Sequence, residues 1–172
     1  MNTHHLRPTV PVPEGGSTPM CFRLEYMAFR QMHHGPYLHY ARVRTGDRAQ
    51  AEQCVVAAFD ALSTHWPMAL RSNCPAAVAW SLLSREVDGR ANCRPRHAWS
   101  VHCLLEAAQA DTVLLHHHLG LPVDKTAALM GLPDYAVRSL LRSAERVLEA
   151  LPACMAARLG VDSDLLMPVF SR

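Results

Sequence analysis

The sequence contains no isoleucine, and its aromatic residues amount to 6%. Residues that pack well on a pleated sheet are therefore scarce, whereas Ala, Leu, Met and Arg, which lose little side-chain freedom in a helix, are abundant. An all-helical protein is expected. No apolar run approaches the roughly 20 residues that a bilayer-spanning helix needs, so no membrane association is expected. A leader with a basic start and an apolar core is also missing. The six cysteines, Cys21, Cys54, Cys74, Cys93, Cys103 and Cys154, are widely spaced. They read as reduced thiols of a cytoplasmic protein rather than a disulfide framework. Neither a nucleophile elbow nor a glycine-rich strand-to-helix turn is present, and the chain is not expected to be an enzyme.

What is present suits a folded chain. Apolar residues make up 49% and charged residues 19% of 172 residues, a globular balance with enough length for one ordinary domain or two small ones. The formal net charge of +2 does not by itself mark a nucleic-acid binder, because that inference needs basic groups gathered on one face.

Along the chain, residues 1–20 are rich in proline and glycine without apolar periodicity and read as a flexible arm. From Phe22 to Val43, Leu24, Met27, Ala28, Met32, Leu38 and Ala41 recur at mostly three- and four-residue steps. The interruption at Gly35-Pro36 predicts two helices or one kinked helix. Thr45-Gly46-Asp47 supplies a turn and a cap for a second helix carrying Ala51, Val55, Ala58, Phe59 and Leu62, which is expected to end near Trp66-Pro67. A third helix spans about Pro75 to Val87. These elements make a first helical domain over 21–87, and the arginine-rich segment 88–98 reads as a linker.

A second domain is expected over 99–151, with a loose tail over 152–172. Its first helix runs from about Trp99 to Leu119 and ends at Gly120, which suits a left-handed cap. Val123 to Met130 and Asp134 to Leu151 follow as two further helices. Gly131-Leu132-Pro133 joins them, Asp134 is placed to cap the second, and Ala127 and Gly131 supply the small residues of a close crossing. This is helix-turn-helix spacing. In that motif the first helix braces the DNA backbone and the second enters the major groove. Arg138, Arg142 and Arg146 recur at four-residue steps as a basic stripe, opposite an apolar face of Val137, Leu140, Leu141, Ala144 and Leu148. The alternative is ordinary helix packing with a solvated charged face.

Several blocks resemble the extracytoplasmic-function group of bacterial sigma-70 factors. Phe29 to Trp66, with Tyr40-Ala41, Thr45-Gly46-Asp47, Ala51-Glu52, Phe59, Leu62 and Trp66, is similar to region two, and Ala79-Trp80-Ser81-Leu82-Leu83 to the end of that domain. Leu114 to Leu148, with Leu119-Gly120-Leu121, Ala127, Met130-Gly131, Val137-Arg138-Ser139 and Ala144, is similar to region four. The resemblance implies a transcription-initiation factor that binds core RNA polymerase and promoter DNA, with an anti-sigma factor or other protein regulator as a further partner.

Carried over residue by residue, it places the polymerase contact at Glu52, Gln53, Val56, Phe59 and Asp60. It places DNA contacts at Lys125, Thr126, Arg138, Ser139, Arg142 and Arg146. Single-stranded DNA is held by basic grooves with aromatic platforms, which nominates Trp80, Arg85 and Arg90, although a large apolar ring such as Trp80 is more often buried in the core than used as a platform.

The chain departs from the family pattern where Gln53, Val56 and Ala57 replace polar and acidic residues, removing charge-assisted contacts worth about 1.5–3 kcal/mol each. Leu140, Ser143 and Glu145 stand where the family carries further basic residues. From Val123 to Ala150, Lys125, Arg138, Arg142 and Arg146 are balanced by Asp124, Asp134, Glu145 and Glu149, so a shallow salt dependence is expected. A sigma-like adaptor, working through protein contacts without promoter recognition, is the alternative reading.

Cys93, His97, His102 and Cys103, and the run His116, His117 and His118, carry the side chains that a tetrahedral metal site would use. The spacing fits no finger or ribbon, and adjacent helical residues project about 100° apart. Neither a metal nor another cofactor is expected.

Overall fold

The computed structural model describes residues 19–91 and 101–150. The arm over 1–18, most of the linker, the two cysteine and histidine candidates Cys93 and His97, and the tail lie outside the described residues. The protein is all-α. Among the described residues six helices follow in order: α1 (Pro19–Thr45), α2 (Arg48–Arg71), α3 (Pro75–Asp88), α4 (Ala107–Val113), α5 (Val123–Met130) and α6 (Asp134–Glu149). A 3-10 turn, Val101–Cys103, precedes α4, and a π turn, Leu114–His118, extends it.

Of the two readings at Gly35-Pro36, two separate helices do not occur; α1 runs through Pro36 as one helix. A proline inside a helix forfeits one backbone hydrogen bond and costs about 3 kcal/mol. The turn just beyond it buries Tyr37, Tyr40 and Ala41, and two buried tyrosines offset a penalty of that size. Likewise α2 continues through Pro67 to Arg71, because Trp66 and Ala69 extend the buried stripe begun by Phe59 and Leu62. At the start of α2 the expected cap is in place. Asp47 Oδ1 accepts the Gln50 N–H at 2.8 Å, and Gly46 adopts a left-handed φ of 67°.

An aromatic ladder joins α1 to α2 and α3. Tyr26 meets Trp66 edge-on at 5.5 Å and Phe29 lies 5.2 Å from the same indole. Farther along, Tyr37 packs on Phe59, and both Tyr37 and Tyr40 pack on Trp80. The Tyr26 hydroxyl also donates to the Phe59 carbonyl at 2.7 Å.

The stretch expected as one helix over 99–119 is divided instead. Glu106 opens α4, with its N–H bonded to Gln109 Oε1, and at the far end the Leu119 N–H reaches back to the Leu114 carbonyl, five residues away. Gly120 then takes a left-handed φ of 68°. The helix α4 packs on α6 through Leu105, Ala110 and Ala144, while α5 packs on α6 through Ala127, Val137 and Leu141.

These two small clusters are not isolated from the rest. Leu114, Leu115, Leu129 and Met130 belong to the same apolar core as Tyr40, Trp80 and Leu83. Gly131 closes the approach: it has a left-handed φ of 67°, and a Cβ there would lie 2.2 Å from the Ala77 backbone nitrogen. The expectation that this glycine serves the crossing of α5 and α6 is therefore extended, since its missing side chain also admits the start of α3.

Candidate nucleic-acid interface

The helix-turn-helix candidate is built from α4, α5 and α6. Gly131 ends α5 in the left-handed conformation, and the Leu132 N–H bonds the Ala127 carbonyl at 2.9 Å, so the chain turns within three residues. Pro133, not Asp134, occupies the cap position of α6; its carbonyl accepts from the Ala136 N–H at 2.9 Å. Asp134 instead enters the first turn, where its carboxylate meets the positive end of the helix dipole.

Val137, Leu141, Ala144 and Leu148 of α6 pack against α4 and α5, whereas Leu140, expected on that face, joins neither cluster and Val147 is exposed; Tyr135, Arg138, Ser139, Arg142 and Arg146 lie on the outward face. Ser139, Arg142, Glu145 and Arg146 line an open hollow on that face. Among the described residues Arg138 and Arg142 form no ion pair, so their guanidinium groups remain available to an anionic partner. Charge is unevenly spread along this face. Residues 134–142 carry Arg138 and Arg142 against Asp134, whereas Glu145 and Glu149 flank Arg146 in residues 143–149. The basic end is the end nearest the turn.

Other expected DNA contacts are placed differently. Lys125 is exposed on α5, but its neighbour Thr126 is fully buried, with its hydroxyl 3.5 Å from the Leu121 carbonyl. Trp80 lies in the aromatic core rather than on a surface platform. Arg85 is exposed. Arg90, just beyond α3, is half-buried and engaged within the fold, bonding Glu86 Oε2 of α3 at 3.0 Å and Cys54 Sγ of α2 at 3.5 Å. Those two bonds hold its guanidinium above its usual pKa.

On α2 the expected polymerase contacts divide in the same way. Glu52, Gln53, Val56 and Asp60 share the exposed face, and Val56 is 46% exposed. Phe59 points inward, and its ring is fully covered by neighbours from α1. Family resemblance identifies positions, not directions, and the apolar period of α2 puts position 59 in the core. Glu52 is bonded by Arg48 at 2.9 Å and lies 3.7 Å from Arg42. The Arg48 hydrogen bond holds its carboxyl below the usual carboxylate range, with Arg42 adding to the effect.

A buried polar network missing from the sequence expectations joins α1 to the C-terminal helices. Asp111 Oδ1 accepts from the Tyr40 hydroxyl at 2.5 Å and from His102 Nε2 at 2.7 Å, and the side chains of both His102 and Asp111 are nearly inaccessible. Burial, reinforced by the Asp111 carboxylate, pushes the Tyr40 phenol well above its usual pKa. Tyr40 is therefore a fixed donor. Arg44, close by, pairs with Asp88 across the ends of α1 and α3. A second tie is Gln109, whose amide donates to Ser143 Oγ at 2.9 Å, linking α4 to α6. Only its isolation among alanines and leucines marks Asp111 in the sequence.

His116 donates from Nδ1 to the Leu121 carbonyl at 2.6 Å and so closes the π turn. Among the described residues, no three His, Cys, Asp or Glu side chains converge to hold a metal ion. No helix among them is long and apolar enough to cross a membrane. Comparison with protein-family models, curated proteins and solved structures finds no significant match.

Proposed function

We propose that the chain is an atypical sigma factor of the extracytoplasmic-function type, which binds core RNA polymerase and directs it to promoter DNA. The observation that carries this reading is the outward basic face of α6, with Arg138 and Arg142 unpaired among the described residues beside a tight glycine turn. A solvated charged face needs no such placement relative to the turn, whereas a helix entering the major groove does. The exposed row Glu52, Gln53, Val56 and Asp60 on α2 supports the polymerase half of the reading. In this account residues 21–87 and 99–151 are the two functional units, engaging the melted and the upstream promoter elements respectively.

The adaptor reading is favoured by one observation. Val56 exposes an apolar side chain where the resembling family presents a polar one, which suits a protein partner other than the polymerase clamp. Gel filtration of the full chain with core RNA polymerase separates the two. Stoichiometric co-elution that strengthens on Val56→Glu supports the sigma reading. Failure of a folded sample to co-elute at low salt, with either residue at 56, contradicts it.

A further inference from the structure

Tyr135 is the only aromatic residue between positions 101 and 150, and it lies outside every core cluster of the C-terminal helices. Its side chain is 76% exposed, while every other aromatic side chain among those with described burial is buried or half-buried. The ring stands in the first turn of α6, three and four residues before Arg138 and Ser139 and one further turn before Arg142. At 100° per residue these four side chains share one face. That face is also where the helix is basic, since the carboxylates Glu145 and Glu149 follow only in the later turns. A large apolar ring held in water has no stabilising role in this fold. Placed in a major groove, it meets the one apolar group that DNA bases display there, the thymine C5 methyl.

We propose that Tyr135 is a specificity-determining residue of this helix, reading a thymine methyl in duplex DNA while Arg138 and Arg142 hold the flanking phosphates or base edges. The inference rests on the DNA-binding reading of α6 and adds to it a residue and a base. Covering one methyl group stabilises the contact enough for about fourfold discrimination. The ring supplies this contact and the hydroxyl does not, so phenylalanine should serve as well as tyrosine.

The test uses the full chain and a randomised duplex library, followed by equilibrium binding to the enriched duplex. Variants are Tyr135→Ala, Tyr135→Phe and the double variant Arg138→Ala/Arg142→Ala. The wild type and Tyr135→Phe should enrich a motif with a fixed thymine, and replacing that thymine by deoxyuridine should weaken both about fourfold. Tyr135→Ala should accept other bases at that position, ignore the deoxyuridine replacement and keep the salt dependence of the wild type. The double arginine variant should weaken binding to all sequences and flatten the salt dependence.

If the wild type and Tyr135→Ala enrich the same motif with the same sensitivity to deoxyuridine, the role of Tyr135 is overturned while DNA binding by α6 stands. If the wild type enriches nothing and the arginine variant changes nothing, the DNA-binding reading falls and this inference with it. A Tyr135→Ala loss seen equally on single-stranded oligonucleotides would make the ring a stacking platform and overturn methyl readout. Because the side chain is exposed, all three Tyr135 proteins should melt together, which separates loss of readout from loss of fold.

Discussion

The first three helices and the last three are held together by different means. Between α1, α2 and α3 the interior is filled by tyrosine, phenylalanine and tryptophan rings, whereas α4, α5 and α6 meet through Ala110, Ala127, Ala144, Leu105, Leu141 and Val137. Small side chains bury less area and stabilise less, and α4 and α5 are short, at 7 and 8 residues. They obtain the remainder by leaning on the first three, through Leu114, Leu115, Leu129 and Met130 in the shared core, through Gly131 against Ala77, and through Asp111 bonded to Tyr40. Because these attachments use the inner faces of α4 and α5, the outer face of α6 remains free. The half that presents the candidate DNA surface is thus the half that depends on the other for its stability.

The most severe way to break this dependence is Gly131→Ala. Left-handed strain together with the collision at Ala77 should cost about 4 kcal/mol, read as a shift of the urea midpoint, with the C-terminal helices losing amide protection before α1–α3. Asp111→Ala is expected to come next, at about 3 kcal/mol, because it removes the buried acceptor of the Tyr40 hydroxyl and of His102 Nε2 at once. Tyr40→Phe removes one donor and keeps the ring, and should cost less than half as much. An equal loss of protection in both halves, in either variant, would mean that the two do not differ in stability and unfold as one unit.

Acid provides a milder perturbation that acts on both halves. Burial lowers the pKa of His33 in α1 and of His117 in the π turn, the latter with help from His116. In the unfolded chain these imidazoles take up protons near their ordinary value of about 6.5, so between that value and the lower folded one the unfolded state binds more protons. Stability is then complete above about pH 6.5 and declines as pH falls below it. His33→Gln and His117→Gln should each flatten the decline measured by thermal melts between pH 7.5 and 5, assigning a share to each half.

The smallest effect concerns Tyr37. Its hydroxyl is buried without a hydrogen-bond partner among the described residues, and burial raises its pKa far above the usual phenol value. Tyr37→Phe should leave the melting temperature unchanged or raise it slightly, since an unsatisfied buried hydroxyl contributes nothing. A loss above about 1 kcal/mol would show that the hydroxyl has a partner after all.

Legibility in the sequence followed the reach of each interaction. The cap at Asp47, the turns at Gly46 and Gly131, the left-handed cap at Gly120 and the bounds of α5 are set by neighbours within a few residues, and each could be read directly. At Gly35-Pro36 the pattern left one helix or two open, and the continuation of α2 through Pro67 could not be read, because local backbone preference at both prolines is overridden by burial of Tyr37, Tyr40, Trp66 and Ala69. The division of the 99–119 stretch was hidden for a similar reason. Gln109 and Asp111 are satisfied by Ser143 and Tyr40, 34 and 71 residues distant, and helical periodicity carries no record of such partners. At the candidate site, the arginine row of α6 was visible as a period. Thr126 and Phe59 are nominated by resemblance, without regard to the side of the helix on which they stand, whereas Trp80 sits in the core, where large apolar rings more often lie. Tyr135 was overlooked although it precedes Arg138 by three residues, the spacing that places both on one face.

The measurement that tests the central claim most directly is transcription from total genomic DNA by core RNA polymerase reconstituted with the full chain. The account predicts discrete new transcripts with the wild type, and their loss in Arg138→Ala/Arg142→Ala while polymerase binding persists. Polymerase that binds the chain yet starts no new transcript, or transcripts indifferent to both arginines, would contradict promoter recognition through α6.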